Sequence, residues 1–219
     1  MPSPSQASNG LPEHNQQSVK QQWLAILSVA VGAFALVTSE FLPVGVLNDV
    51  ATDLGISAGH AGLMVTLPGI MAALAAPILS IGIGALDRRY LLIGLTLIMI
   101  IANLLVAFAN DFNLLLLGRV FLGISIGGFW ATAIGLSSRL APKGVGVAQA
   151  TSIIMFGVTL ATVLGVPVGT WLSGLTGWRM TFLITGLLGI PVLLAQLLFL
   201  PRLTPEKAIL IKDLPALLI

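Results

Sequence analysis

The sequence predicts an all-α membrane protein of six transmembrane helices, set out as two groups of three, and three observations carry that expectation. Of 219 residues, 57% are hydrophobic and only 8% are charged, against roughly a quarter charged in a soluble domain. Mean hydropathy is +1.04, so the chain cannot cover its surface in water. Six apolar runs each approach or exceed the ~20 residues that a spanning helix needs. The bilayer core has no water to satisfy free backbone groups, so these runs are helices and not strands. A soluble enzyme, a nucleic-acid binder and a disordered regulator are excluded as main readings. The net charge of +2, from ten basic and eight acidic residues, is too small and too dispersed to mark a polyanion site, and no nucleic-acid partner is expected. The absence of cysteine excludes disulfides, thiolate metal sites and cysteine nucleophiles.

Taken in order, residues 1–22 are rich in Pro, Ser, Gln and Asn and predict a disordered tail. A signal peptide does not fit, because the tail is not basic and the apolar run that follows exceeds an h-region of about 7–15 residues. The six runs cover 23–46, 61–83, 90–109, 114–136, 147–172 and 180–200, giving a bundle over 23–200. The connections are an acidic stretch around Asp49 and Asp53, then Asp87-Arg88-Arg89, Asn110-Asp111, Ala141-Pro142-Lys143-Gly144 and the segment 174–179.

Basic residues set the orientation. With the N-terminus cytoplasmic, that side holds Lys20, Arg88, Arg89, Arg139, Lys143, Arg202, Lys207 and Lys212, whereas the other holds only Arg179, beside Asp49, Asp53 and Asp111. The positive-inside rule then places both termini in the cytoplasm. Trp23, Trp171 and Trp178 stand where interfacial anchors would. Two sets of three spans with opposite direction are the layout of an inverted repeat, and the first span of each set carries a charge within the membrane, Glu40 and Arg119.

Those two residues are the strongest candidates for chemistry. A charge at membrane depth costs about 2.5–3.5 kcal/mol and should face a partner or a wet cavity. Glu40 lies about 25 Å along its helix from Trp23, hence about 5 Å below the outer edge of a ~30 Å core. Arg119 lies about 8 Å inward from that edge, so the two can meet as a charge pair or proton site. Otherwise each snorkels separately to the interface. Asp87-Arg88-Arg89 is either a basic loop that merely sets topology or a conformational latch. Gly165-Val166-Pro167-Val168-Gly169, with Gly157 and Ala161 before it, combines a kinking proline with small residues that admit a close neighbour. Gly123-Ile124-Ser125-Ile126-Gly127 matches a hydrolase elbow in letters only. That elbow needs a strand-to-helix turn and a histidine base, whereas this segment is deep in an apolar run and the histidines are His14 and His60. It reads as a packing face, and no metal-ligand cluster or phosphate loop is visible.

Glu40-Phe41-Leu42-Pro43-Val44-Gly45, leading into Asp49-Val50-Ala51-Thr52-Asp53-Leu54-Gly55-Ile56-Ser57, resembles the first helix and loop of major facilitator drug:proton antiporters, in the branch of bacterial purine-nucleoside and sugar efflux pumps. Gly118-Arg119, with Gly123 and Gly127-Gly128-Phe129-Trp130, resembles the superfamily's fourth-helix motif. Gly165, Pro167 and Gly169 resemble its fifth-helix antiporter motif, and Gly177-Trp178-Arg179 with Phe182 the next loop. The likeness extends over about residues 23–215. The family loop Asp-Arg-x-Gly-Arg-Arg is contracted here to Asp87-Arg88-Arg89-Tyr90. Such transporters have twelve helices, so this chain corresponds to an N-terminal half, with residues 201–219 as the start of the central cytoplasmic loop.

The resemblance implies proton-coupled efflux of a small organic solute across the bacterial inner membrane by alternating access, with the proton gradient as energy source and no cofactor. Glu40 would carry the proton, Arg119 would partner it, and Asp87, Arg88 and Arg89 would form the latch. Gly165, Pro167 and Gly169 would shape the helix that seals one side. The expected partners are the solute, the lipid bilayer and either a missing six-helix half or a second copy. The alternative is a six-span scaffold or assembly subunit that transports nothing; an intramembrane enzyme would need a nucleophile with a base, or a metal cluster, at membrane depth.

Overall fold

The computed structural model of the chain describes residues 18–82, 86–142 and 145–202. The expectations for residues 1–17, Ile83, Gly84, Lys143, Gly144 and 203–219, with Lys207 and Lys212 among them, lie outside the described residues.

The first helix, α1 (Val19–Asp53), starts earlier than hydropathy suggests. Ser18 caps it: its hydroxyl accepts from the Gln21 N–H while the Gln21 side chain accepts from the Ser18 N–H. This reciprocal box satisfies two otherwise orphaned donors and moves residues 18–22 out of the expected tail. At its other end α1 continues through Asp49 and Asp53, which hydropathy alone reads as a loop. Thirty-five residues make a rod of about 52 Å at 1.5 Å per residue, well beyond the ~30 Å hydrocarbon core. Gly55, at φ +63°, turns the chain in the left-handed conformation that glycine adopts without strain.

A single turn, α2 (Ala58–Ala61), leads into α3 (Leu63–Gly82). Asp87 caps α4 (Arg88–Ala107), and Asp111 caps α5 (Phe112–Leu140). The chain then runs through α6 (Val147–Thr176) and, after Gly177 at φ +85°, α7 (Trp178–Phe199). Six of these helices are long and apolar enough to cross a membrane. The proline of the fifth span does not interrupt it: α6 passes continuously through Pro167.

Packing carries the two-fold design. α1 lies along α6 as α3 lies along α5; α4 sits against α5 as α7 sits against α1; α4 and α7 pack on one another. Exchanging α1, α3, α4 for α5, α6, α7 swaps the first two pairs with one another, swaps the next two, and leaves the α4–α7 pair in place, as an inverted 3+3 repeat requires. The matched seams use the same device. A Cβ on Gly157 of α6 would run into the Ala30 carbonyl of α1, and one on Gly127 of α5 would lie 2.6 Å from the Ala72 carbonyl of α3. Only bare backbone allows helices this close.

The apolar core falls into two clusters. The near cluster, towards residues 18 and 202, contains Leu36 of α1, Ala102 of α4 and Leu122 of α5. The far cluster contains Leu42, Val106 and Leu115 of the same helices, with Trp178 and Phe182 of α7. Between them, α1, α4 and α5 each present one polar residue: Ser39, Asn103 and Arg119.

Candidate functional site

This polar layer is the candidate site. Arg119 is 1% exposed, and its Nη1 donates to the main-chain carbonyl of Ser39 at 2.9 Å. The acceptor is available for a local reason. In an α-helix that carbonyl would bond the N–H four residues on, but residue 43 is Pro and has none. Pro43 thus frees the oxygen that holds Arg119. The Ser39 hydroxyl donates to Ala35 O at 2.9 Å and accepts from Asn103 Nδ2 at 3.0 Å; Asn103 Nδ2 also donates to Met99 O at 2.9 Å. The guanidinium carbon of Arg119 stands 4.8 Å from the centre of the Phe182 ring, a desolvated cation–π contact. Arg119 Nε and Nη2, and Asn103 Oδ1, have no hydrogen-bond partner among the described residues.

Glu40 is half-buried and directly follows the Ser39 anchor. Glu40 and Arg119 form no direct ion pair of the kind that joins Arg179 to Asp53, so they stand farther apart than 4.0 Å. The two charges act on one another across that gap, and the arginine is tied to the main chain beside the acid instead of to the acid itself. Gly165 and Gly169 come to the same level of α1: Gly165 faces Thr38 and Phe41, and Gly169 faces Leu42. Pro167, between them, points to the exposed side of α6. Glu40, Arg119, Gly165 and Gly169 are therefore gathered on one stretch of α1.

Asp87, Arg88 and Arg89 are not part of that group. Asp87 accepts from the Arg89 N–H at 2.9 Å as the cap of α4, while Arg89 Nη2 donates to Leu197 O of α7 at 2.6 Å. Arg88 is half-buried beside them. The triplet ties α4 to α7 at the near end of the bundle. At the far end, Ser173 donates to Asp49 at 2.8 Å, and Arg179 pairs with Asp53 and donates to Ala109 O at 3.1 Å. These contacts hold the overhang of α1 against α6 and α7. Trp178 is 5% exposed, lies under the Arg179 guanidinium and meets Phe182 edge to face, so it is a core residue and not the interfacial anchor expected. His60 sits edge-on to Phe112 with ring centres 4.9 Å apart.

Several buried polar residues were not singled out by the sequence: Ser39, Asn103, and the pair in which Thr96 donates to Gln196 at 2.8 Å. Polar side chains at regular depth in apolar runs were the available signal. Ser125, in the hydrolase-like pattern, donates to Leu95 O at 2.7 Å and is buried between α5 and α4.

A family model described as Major Facilitator Superfamily matches residues 29–214. Purine ribonucleoside efflux pumps named NepI, from Salmonella typhi and Salmonella typhimurium LT2, are each 39% identical over 189 residues, covering 86% of this chain and 47% of theirs. The chain spans about half the length of the curated relatives it matches. Among solved structures, a bacterial homolog of the human lysosomal transporter Spinster, inward-facing and unoccupied, aligns with a TM-score of 0.71 at 22% identity, over 87% of this chain and 45% of its own. The occupied form of that homolog gives 0.70 at 21%, over 88% and 47%.

Proposed function

Because the chain belongs to the Major Facilitator Superfamily of transporters, we propose that it forms one six-helix half of a proton-coupled exporter of small organic solutes, with purine ribonucleosides as the first class to test. The solute class rests on what the relatives are named for, purine ribonucleoside efflux, about half of whose length this chain covers. The second half comes from a further six-helix segment or a second copy, and solute binds between the halves as they rock about it. The assembly works in the bacterial inner membrane with residues 18 and 202 on the cytoplasmic side.

One observation carries the coupling mechanism: a buried arginine anchored to α1 by one nitrogen, with two N–H groups open, one residue from a half-buried carboxylate. With Glu40 ionised, the local charges balance. A donor group on the solute binds the ionised carboxylate and is displaced when Glu40 takes a proton, so solute binding releases a proton and the two compete. Solute and proton are thereby linked through a single carboxylate. Gly165 and Gly169 let α6 ride close on α1 at this level, and the Asp87–Arg89 turn holds α4 to α7 as the latch.

The test is export of radiolabelled inosine from cells carrying the chain together with the C-terminal half of a relative. Glu40→Gln keeps size and hydrogen bonding but cannot titrate; it should abolish proton-driven export while leaving membrane insertion intact. If solute-induced proton release is as large in the variant as in the parent, the coupling acid lies elsewhere and Glu40 is structural.

A further inference from the structure

An apolar groove of about 500 Å³ runs between α1 and α7, and Gly165 and Gly169 of α6 line its far part. It extends along α1 from Leu24 to Leu42 and along α7 from Thr181 to Phe199. Either stretch measures about 27 Å at 1.5 Å per residue, close to the ~30 Å of a hydrocarbon core. α6 contributes only its Leu164–Leu172 side, which faces the far half of α1, so the near half is walled by two helices and open laterally. Small lining residues, Ser28, Ala35 and Ala195, leave room in the groove.

The near end of this groove is cationic. Lys20 lies four residues before Leu24 on α1, hence on the same face one turn outward, and is exposed. Arg202 is exposed two residues beyond Leu200, where α7 has ended. Neither forms an ion pair with a described carboxylate, and residues 19–22 and 197–202 carry no acidic residue. The positive end of the α1 dipole adds to the same field. A membrane-high apolar slot with two free cations where it meets water is complementary to one lipid chemistry.

We propose that this groove binds an acidic phospholipid, its acyl chain between α1 and α7 and its phosphate at Lys20 and Arg202. The near half of the groove and its two cations take no part in the transport reading above. Bulk lipid would wet any apolar helix face without regard to headgroup; a built site discriminates. A zwitterionic headgroup brings its own ammonium to the two cations, whereas phosphatidylglycerol leaves a net negative charge.

The full chain, purified in detergent, is titrated with phosphatidylglycerol or with phosphatidylcholine of identical acyl chains, and bound lipid is counted by native mass spectrometry. One phosphatidylglycerol should be retained with a preference of about tenfold over phosphatidylcholine. The exposed pair Lys20→Gln with Arg202→Gln should remove that preference without lowering the melting temperature. Ala195→Phe, which fills the groove, should reduce retention of phosphatidylglycerol with both cations in place. Equal retention of the two lipids, an unchanged preference in the Gln pair, or release of the lipid by millimolar inorganic phosphate would each overturn the proposal.

Discussion

Pro43 and Arg119 are proposed to be coupled although no bond joins them, and a double-mutant cycle measures this. Arg119→Met removes a charge-assisted hydrogen bond worth about 1.5–3 kcal/mol and a cation–π contact worth about 0.5–2 kcal/mol. It also removes two buried donors that have no partner among the described residues, each of which costs about 1–3 kcal/mol. The two sides are of similar size, so Arg119→Met should change stability by no more than about 1–2 kcal/mol despite burying its side chain at 1% exposure. What the substitution leaves behind is the Ser39 carbonyl, which has neither Arg119 nor an N–H at residue 43. Pro43→Ala supplies that N–H. It should therefore stabilise the Arg119→Met background more than the parent, by about 1–3 kcal/mol. At about 2–4 °C per kcal/mol for a chain of this size, the extra shift is readable by tryptophan fluorescence during heating in detergent. Additivity within about 0.5 kcal/mol would refute the claim that the missing N–H of Pro43 is what offers Arg119 its acceptor.

Reporter fusions at Asp111 and Lys143 should report opposite sides of the membrane, outside and inside respectively; the same side for both would undo the six-span map. Gly157→Leu and its counterpart Gly127→Leu push into the Ala30 and Ala72 carbonyls, and each should cost about 1–3 kcal/mol or more, seen as loss of the monodisperse peak in size exclusion. Wild-type behaviour of either would mean that its seam is not packed backbone to backbone. The 219-residue chain expressed alone should give no export of inosine, since a cavity between halves needs both walls. Robust proton-linked export by the purified chain would instead identify a working homodimer.

The membrane class, the six spans and the two-fold layout were legible because hydropathy and length report directly on burial in lipid. The helix ends were less so, and α1 explains why. Asp49 and Asp53 look like the end of a span, but the end of an apolar run is not the end of a helix: their partners Ser173 and Arg179 come from segments far away in sequence. At the start, Ser18 and Gln21 formed a capping box that hydropathy does not weigh. The site was half legible. Glu40 and Arg119 stood out as charges, and depth arithmetic brought them to one level, yet Arg119 bonds a main-chain carbonyl that no list of side chains can name. Ser39 and Asn103, being neutral, gave no comparable alarm.

The Pro43 device has a consequence for how substitutions at this site would travel together. The residue whose oxygen receives Arg119 is Ser39, but any amino acid at position 39 provides that oxygen. Position 39 is free to drift without disturbing the contact; position 43 is not, because restoring an N–H there offers the oxygen a competitor. A search for paired changes among relatives of this chain should therefore tie position 119 to position 43, two residues that do not bond, and leave 39, the residue that does, uncorrelated with 119. The physical neighbour would be silent and the informative one a full helical turn away.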